Sequence, residues 1–367
     1  MDENKKNRYM DLGDVPEEDK KPVKLKRKAG RRAAMTAFVI AIIALIAITG
    51  CGYLYMSLQK AEADNAKMQA AIEQFPTNYT ESQAAELVDQ AVKKNQEEYL
   101  AKMKELILKD NSPVSMLRYF YPDELVAAFD SKYYFLPISE TLKKNTYEDA
   151  NFVVNENGNL EYDKDGVKIS HTGIDVSKYQ GDIDWTKVKA AGIEYAFIRL
   201  GIRGYESGKL VLDDNYEANI KGATGAGIGA GVYFFSQAIT TDEAIEEANY
   251  VIDNIKSYNI TYPVVFDIEN INDATSRTNA LTKEEWTAIT IAFCERIKEA
   301  GYTPMIYGNL RSFLMMLDME QLEGYEKWFA FYGLPVYYPY EYSILQYTEE
   351  GVVDGITEPV DMNITFE

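Results

Sequence analysis

From Gly173 onward the chain alternates short apolar, β-prone runs with helical stretches, and that rhythm limits the fold more than any other feature. The runs fall at residues 173–176, 195–200, 229–235, 262–269, 304–307, 328–332, 343–347 and 360–365. Helical stretches such as 184–191, 242–258 and 282–300 separate the early ones. Alternating strand and helix predicts a parallel sheet, and eight strands predict closure into a barrel. Residues 173–367 number only 195, short of the roughly 250 usual for such a barrel. The expectation is therefore an α/β fold with an irregular TIM-like (β/α) barrel, complete βα units first and bare strands last.

Four acids fall at strand ends or in strands of this region. Asp175 is near the end of the first run, Asp267 and Glu269 end the fourth, and Asp361 is in the last. Residues i and i+2 of a strand project to one face, about 6–7 Å apart. Asp267 and Glu269 therefore project together, and Ile268 turns toward the helices. Active sites of such barrels lie at the carboxyl ends of the strands. A lone D-x-E there often only caps the next helix. Four acids set among Tyr233, Phe235, Tyr307, Trp328 and Tyr347 instead suit glycoside hydrolysis, which needs an acid and a second carboxylate; the aromatic faces can stack on sugar rings.

Composition removes several alternatives. Net charge is -20, and residues 1–32 carry 11 Lys and Arg against 7 Asp and Glu, so the first 32 residues hold +4 and the remainder -24. Such an acidic body lacks the basic patch that nucleic acid requires. The chain has one histidine, His171, and two cysteines, Cys51 and Cys294, poorly placed to pair. No disulfide framework, no metal site and no cofactor are expected, and a Ser-His-Asp or Cys-His mechanism would need His171 itself.

Residues 33–51 form a 19-residue run without a charge, and apolar character extends to Met56. Eight Lys and Arg between Lys20 and Arg32 precede it. A bilayer core takes about 20 apolar residues in a helix, and positive charge stays on the cytoplasmic side. The expectation is a cytoplasmic basic tail at 1–32, a single transmembrane helix at 33–56 and everything after it outside the cell. A cleaved signal peptide fits less well, because its apolar region is shorter. The sequence Ile48-Thr49-Gly50-Cys51 is similar to a lipoprotein processing site, so a lipid anchor at Cys51 is the alternative.

Residues 57–111 read as a helical stalk. Thr80 and Gln83 have capping-box spacing, and apolar residues recur at Ala84, Val88, Ala91, Tyr99, Met103 and Leu106. Residues 112–171 mix apolar runs with Asn, Asp and Gly turns and read as a small α+β connecting module, best taken as a spacer. Residues 172–367 are the catalytic domain.

The segment GIDVSKYQGDIDW at 173–185 resembles the opening of the glycoside hydrolase family 25 muramidases, the Chalaropsis-type lysozymes. YAFIRLG at 195–201, GVYFFS at 231–236, PVVFDIE at 263–269, IYGN at 306–309, KWFAFYG at 327–333, LQYT at 345–348 and VDMN at 360–363 follow in the family's order. The resemblance implies cleavage of the β-1,4 bond between N-acetylmuramic acid and N-acetylglucosamine in peptidoglycan. It implies Glu269 as general acid, Asp267 assisting beside it by orienting the substrate's acetamide, and Asp175 and Asp361 lining the same pocket. A general acid must hold a proton, so Glu269 is expected to have a raised pKa and Asp267 to stay charged. Arg199, Gln346 and Asn309 are candidates for bonds to sugar or acetamide groups, and equally for structural bonds. Leu345 and Phe329 depart from the Trp and Ile that the family often shows there.

The reading is a membrane-anchored extracellular muramidase for local cell-wall remodelling. A catalytically inactive peptidoglycan-binding scaffold, or a hydrolase of another acetylated glycan, are the alternatives. Expected partners are peptidoglycan glycan strands and the cytoplasmic membrane through residues 33–56, with no nucleic acid.

Overall fold

The structure, a computed structural model, describes residues 66, 80–110 and 112–366. The basic tail, the apolar segment 33–56 and residues 57–65 and 67–79 of the expected stalk lie outside them. Among the described residues no helix is long and apolar enough to cross a membrane. The chain divides into two compact units, Met1–Ala101 and Lys102–Glu367.

In the first unit the helix Glu81–Asp110 begins. The Thr80 N–H donates to Gln83 Oε1 at 2.9 Å and the Gln83 N–H donates to Thr80 Oγ1 at 3.3 Å. This reciprocal pair satisfies two amides that the first helical turn leaves without partners. Leu87, Val88, Val92, Tyr99 and Leu100 remain exposed along this helix.

The second unit opens with the helix Pro113–Phe120, capped by Ser112. Strands β1 (Glu124–Phe129) and β2 (Lys132–Pro137) follow as an antiparallel hairpin. Strands β3 (Phe152–Val154), β4 (Leu160–Lys164) and β5 (Val167–Lys168) form a small antiparallel sheet. The barrel then begins with β6 (Ser170–Val176) and β7 (Tyr195–Arg203), and β8 (Leu210–Leu212) adds an antiparallel flap to β7. It continues through β9 (Gly229–Phe235), β10 (Val264–Asp267), β11 (Pro304–Asn309), β12 (Glu326–Ala330), β13 (Ile344–Gly351) and β14 (Val360–Phe366). Strands β6, β7 and β9 through β13 pair in parallel. β14 runs antiparallel between β13 and β6 and closes an eight-stranded barrel.

Strand alternation sorts the side chains into two layers. Tyr195, Phe197, Val265, Met305, Trp328 and Ile344 fill the barrel interior. Their neighbours in sequence, among them Ala196, Ile198, Val264, Phe266, Ile306 and Leu345, face outward into the larger core. Gly173 is the inward residue beneath Asp175, and a methyl group there would overlap the Tyr195 ring.

Helices cover only part of the outside. Trp185–Ala190, Tyr216–Gly225, Thr241–Ile255 and Lys283–Glu299 lie over the early strands. After β11 there is one π-helical turn, Ser312–Met316, and no helix follows β12 or β13. Yet Phe329, Leu345, Met362 and Ile364 on these strands are fully buried. Their cover includes the connecting module and the tyrosine-rich loop that holds Tyr338, Tyr340 and Tyr342. Leu160 and Tyr162 belong to the same core as Leu345 and Ile364. Tyr147 stacks on Phe366 with ring centroids 4.0 Å apart, and its hydroxyl donates to the Tyr342 carbonyl at 2.8 Å. Asn145 Nδ2 donates to the Tyr338 carbonyl at 2.6 Å. Read from sequence the module is a spacer; in the structure it takes the place of missing barrel helices.

A chain reduced to 172–367 would therefore expose apolar strand faces. Denaturant unfolding should show it losing more than about 3 kcal/mol against residues 102–367, the cost of deleting one large buried aromatic. Equal stability of the two would show that the module packs without supporting the barrel.

Candidate active site

The acids meet at one rim of the barrel because of strand direction. Asp175 is next to last in β6 and Asp267 is last in β10, so both reach the carboxyl end. Asp361 is second in β14, but β14 runs the other way, and Asp361 pairs directly opposite Asp175. Glu269 continues two residues beyond Asp267.

Backbone bonds fix the turn that carries Asp267 and Glu269. The Ser236 N–H donates to the Asp267 carbonyl at 3.1 Å and the Ile268 N–H donates to the Tyr307 carbonyl at 3.3 Å. Ser312 Oγ donates to the Ile268 carbonyl at 2.9 Å. Ile268 itself is buried in the outer core, turned from the acids as the alternation requires.

A polar network orients Asp175. Its Oδ2 accepts from Gln346 Nε2 at 2.8 Å and from Asn363 Nδ2 at 2.9 Å. Gln346 Oε1 in turn accepts from the hydroxyls of Tyr307 and Tyr332, each at 2.8 Å. Asn363 Oδ1 accepts from Trp328 Nε1 at 2.7 Å. These amides have no free rotamer, since each end has its own partner.

All four carboxyls are held above the usual carboxylate range, with burial the largest cause in each. Asp175 is pushed well up by burial and then by the neighbouring Asp361, with which it also hydrogen-bonds. Asp361 is raised by burial, and the Glu349 charge adds to that. Asp267 is pushed well up by burial, then by Glu269 and Asp175. Its Oδ1 is buried and has no hydrogen-bond partner in the protein. Glu269 is raised by burial and then by Asp361 and Glu349. The sequence reading has Asp267 charged beside a protonated Glu269. In the structure Asp267 is the more enclosed of the two, and its carboxyl too is held above its ordinary range. The nearest compensating cation is Arg199, and its charge is already engaged: Nε and Nη2 bond Asp213 Oδ2 at 2.7 and 2.6 Å.

The structure divides the other predicted residues. Tyr233 and Phe235 face inward on β9, flanking Asp267, and Phe235 pairs with it across the strands. Tyr307 and Asn309 line a cleft of about 490 Å³ with Glu269, Leu310, Ala330, Tyr332 and Glu349. Asn309 Oδ1 also accepts from the backbone amides of Arg311 and Ser312, capping the π turn. Trp328 is 1% exposed and lies under the site, so it supports Asn363 and cannot stack on a sugar. Tyr347 follows Gln346 and takes the opposite face, packing in the outer core near Leu160. Arg199 pairs with Asp213 and stacks on Tyr179 at 4.9 Å. His171 bonds Glu194 at 2.6 Å, at the far end of β6 from Asp175.

Asn363 and Tyr332 belong to the network but are absent from the sequence-based set. Asn363 is two residues past Asp361 and so shares its face, a signal available in the sequence. Tyr332 ends the predicted run 328–332 and shares the face of Trp328 by the same rule, although β12 itself stops at Ala330. Leu345 and Phe329, the two departures from the family pattern, face the outer core.

Carboxyls held above their ordinary range make stability fall with rising pH. The folded protein holds protons that the unfolded chain releases above about pH 4, so ΔG of unfolding declines as pH climbs toward the raised folded value. Asp267→Asn removes that loss at one site. Its Tm relative to wild type should increase from pH 5 to pH 8, and a difference independent of pH would contradict a raised Asp267 pKa.

Comparison with known proteins gives a consistent match. The model of glycosyl hydrolases family 25 matches residues 174–356. Lysozyme M1 of Streptomyces globisporus is 37% identical over 101 residues, 27% of this chain and 32% of that protein. The autolytic lysozyme of Clostridium acetobutylicum is 24% identical over 199 residues, 52% of this chain and 54% of that protein. The chain thus spans about a third and about half of these relatives. Among solved structures, the modular autolysin LytC of Streptococcus pneumoniae, in complex with a synthetic peptidoglycan ligand, superposes with a TM-score of 0.50 at 22% identity over 66% of each chain, which shows a shared fold.

Proposed function

We propose, from the premise that residues 174–356 form a glycosyl hydrolases family 25 domain, that this chain is a muramidase. It hydrolyses the β-1,4 bond between N-acetylmuramic acid and N-acetylglucosamine in peptidoglycan. The observation that carries the reading is the placement of Glu269 in an open cleft, proton-retaining, beside an enclosed Asp267 with a partnerless oxygen. The names of the relatives, lysozymes and an autolysin, point the same way.

In this mechanism Glu269 donates its proton to the glycosidic oxygen as the bond to the anomeric carbon breaks. Asp267 Oδ1 accepts the N–H of the substrate's acetamide, which satisfies that oxygen and aligns the acetamide carbonyl. That carbonyl oxygen then attacks the anomeric carbon, the substrate-assisted variant of glycoside hydrolysis. Glu269, now a carboxylate, takes a proton from the water that opens the resulting ring. Asp175 and Asp361 share one proton across their hydrogen bond, and the single charge left to the pair lies close to the developing positive ring. Tyr233 and Phe235 flank the sugar.

The same proposal includes placement. The uncharged run at 33–56 spans the cytoplasmic membrane, the tail 1–32 stays inside and the stalk 57–111 carries the catalytic domain outside, so cutting is local and serves wall remodelling. The length and the flanking charge support this layout.

Glu269→Gln keeps the shape and removes the proton. It should cut release of reducing ends from peptidoglycan by at least about 100-fold, within the range general acids contribute, with unchanged unfolding. Wild-type rates in the variant would refute the assignment. Peptidoglycan binding without any new reducing ends from wild type would favour the scaffold reading, and faster digestion of chitin would favour another acetylated glycan.

A further inference from the structure

One wall of the Glu269 cleft comes from outside the family-matched residues. Phe129, the last residue of β1, lines that cleft with Glu269, Tyr307, Asn309 and Tyr332. The hairpin that carries it is pinned at both ends. At the tip, Asp130 receives two bonds from Arg311, at 2.9 and 2.7 Å, and the Arg311 guanidinium lies 5.7 Å from the Phe129 ring. At the base, the Val126 N–H donates to the Tyr337 hydroxyl at 2.8 Å, and Arg118 bonds the Val126 carbonyl while stacking on the Tyr337 ring at 3.5 Å.

The two-residue turn places Asp130 and Ser131 at φ of 50° and 60°, the left-handed region. Hairpin turns of this kind favour Asn-Gly or Asp-Gly, and a serine held there reflects a tip fixed by its surroundings. Phe129 is half-buried, so part of its ring remains open to the cleft. Tyr332, 50% exposed, lines the same cleft. With Tyr307 and Phe331 they make four aromatic residues lining one open cleft, which suits the apolar faces of sugar rings. Glu269 and Glu349 line the same cleft, and the one cation in that lining, Arg311, is paired with Asp130, so an anionic segment is disfavoured and the occupant is the uncharged part of a glycan.

We infer that the hairpin β1–β2 is a part of the substrate cleft, with Phe129 a stacking platform for a sugar ring of the strand bound at Glu269. The inference rests on the muramidase reading for the identity of that strand. The connecting module thereby both covers the barrel and extends its cleft.

The test compares wild type, Phe129→Ala and Phe129→Trp, as full chains, on glycan strands stripped of peptide. Phe129→Ala should raise KM roughly 3- to 10-fold, the worth of one aromatic stacking contact, with kcat within about twofold; Phe129→Trp should restore KM. An unchanged KM in Phe129→Ala, a loss confined to kcat, or failure of Trp to restore KM would overturn the platform. If wild type releases no reducing ends, the muramidase reading fails, and glycan-strand binding by the same three proteins decides the hairpin separately. Weaker binding by Phe129→Ala restored in Phe129→Trp supports it, and equal affinities overturn it.

Discussion

The site depends on how the barrel closes. Seven parallel strands end at one rim, and β14 enters between β13 and β6 in the opposite direction. That reversal brings the beginning of β14 to the rim where the other strands finish. It sets Asp361 against Asp175 and puts Asn363 deeper on the same face, where it links Asp175 to Trp328. A parallel last strand would have placed its acid at the opposite end of the barrel, and the carboxyls would not share a pocket.

Closure with few helices creates a second requirement. An outward apolar face must be covered, and after β11 the chain supplies only the short turn Ser312–Met316 to do so. Tyr147, Phe152 and Tyr162 from the connecting module, with Tyr342, gather around Phe366 in an aromatic cluster. Arg311, Tyr337 and Arg118 hold the hairpin of the same module at the cleft. Fold stability and site architecture therefore meet in a segment outside the family-matched domain.

Much of this was legible in the sequence. The eight barrel strands and the inward direction of Asp267 and Glu269 follow from alternation and from the acids at strand ends. The same period-2 rule excludes Gln346 and Tyr347 from sharing a face, and the structure gives the lumen to Gln346. Burial of Trp328 follows from its place in the interior cluster, where it stacks on Phe197 at 4.6 Å, which sequence spacing alone does not fix. The module's role was illegible for a different reason. Its aromatics stand among turn residues, and their partners lie about 200 positions away, so no local pattern marks them. The upward shift at Asp267 was also hidden, because it comes first from burial and then from the charges of Glu269 and Asp175, and the depth of burial is a tertiary property.

Buried, proton-retaining acids beneath an open general acid suit a site that becomes fully satisfied only when substrate arrives. Mass spectrometry of borohydride-reduced muropeptides released by the full chain tests that account most directly. The account predicts that every new reducing end is muramitol, carrying its N-acetyl group. New ends that are reduced glucosamine, or no released fragments at all, would contradict it.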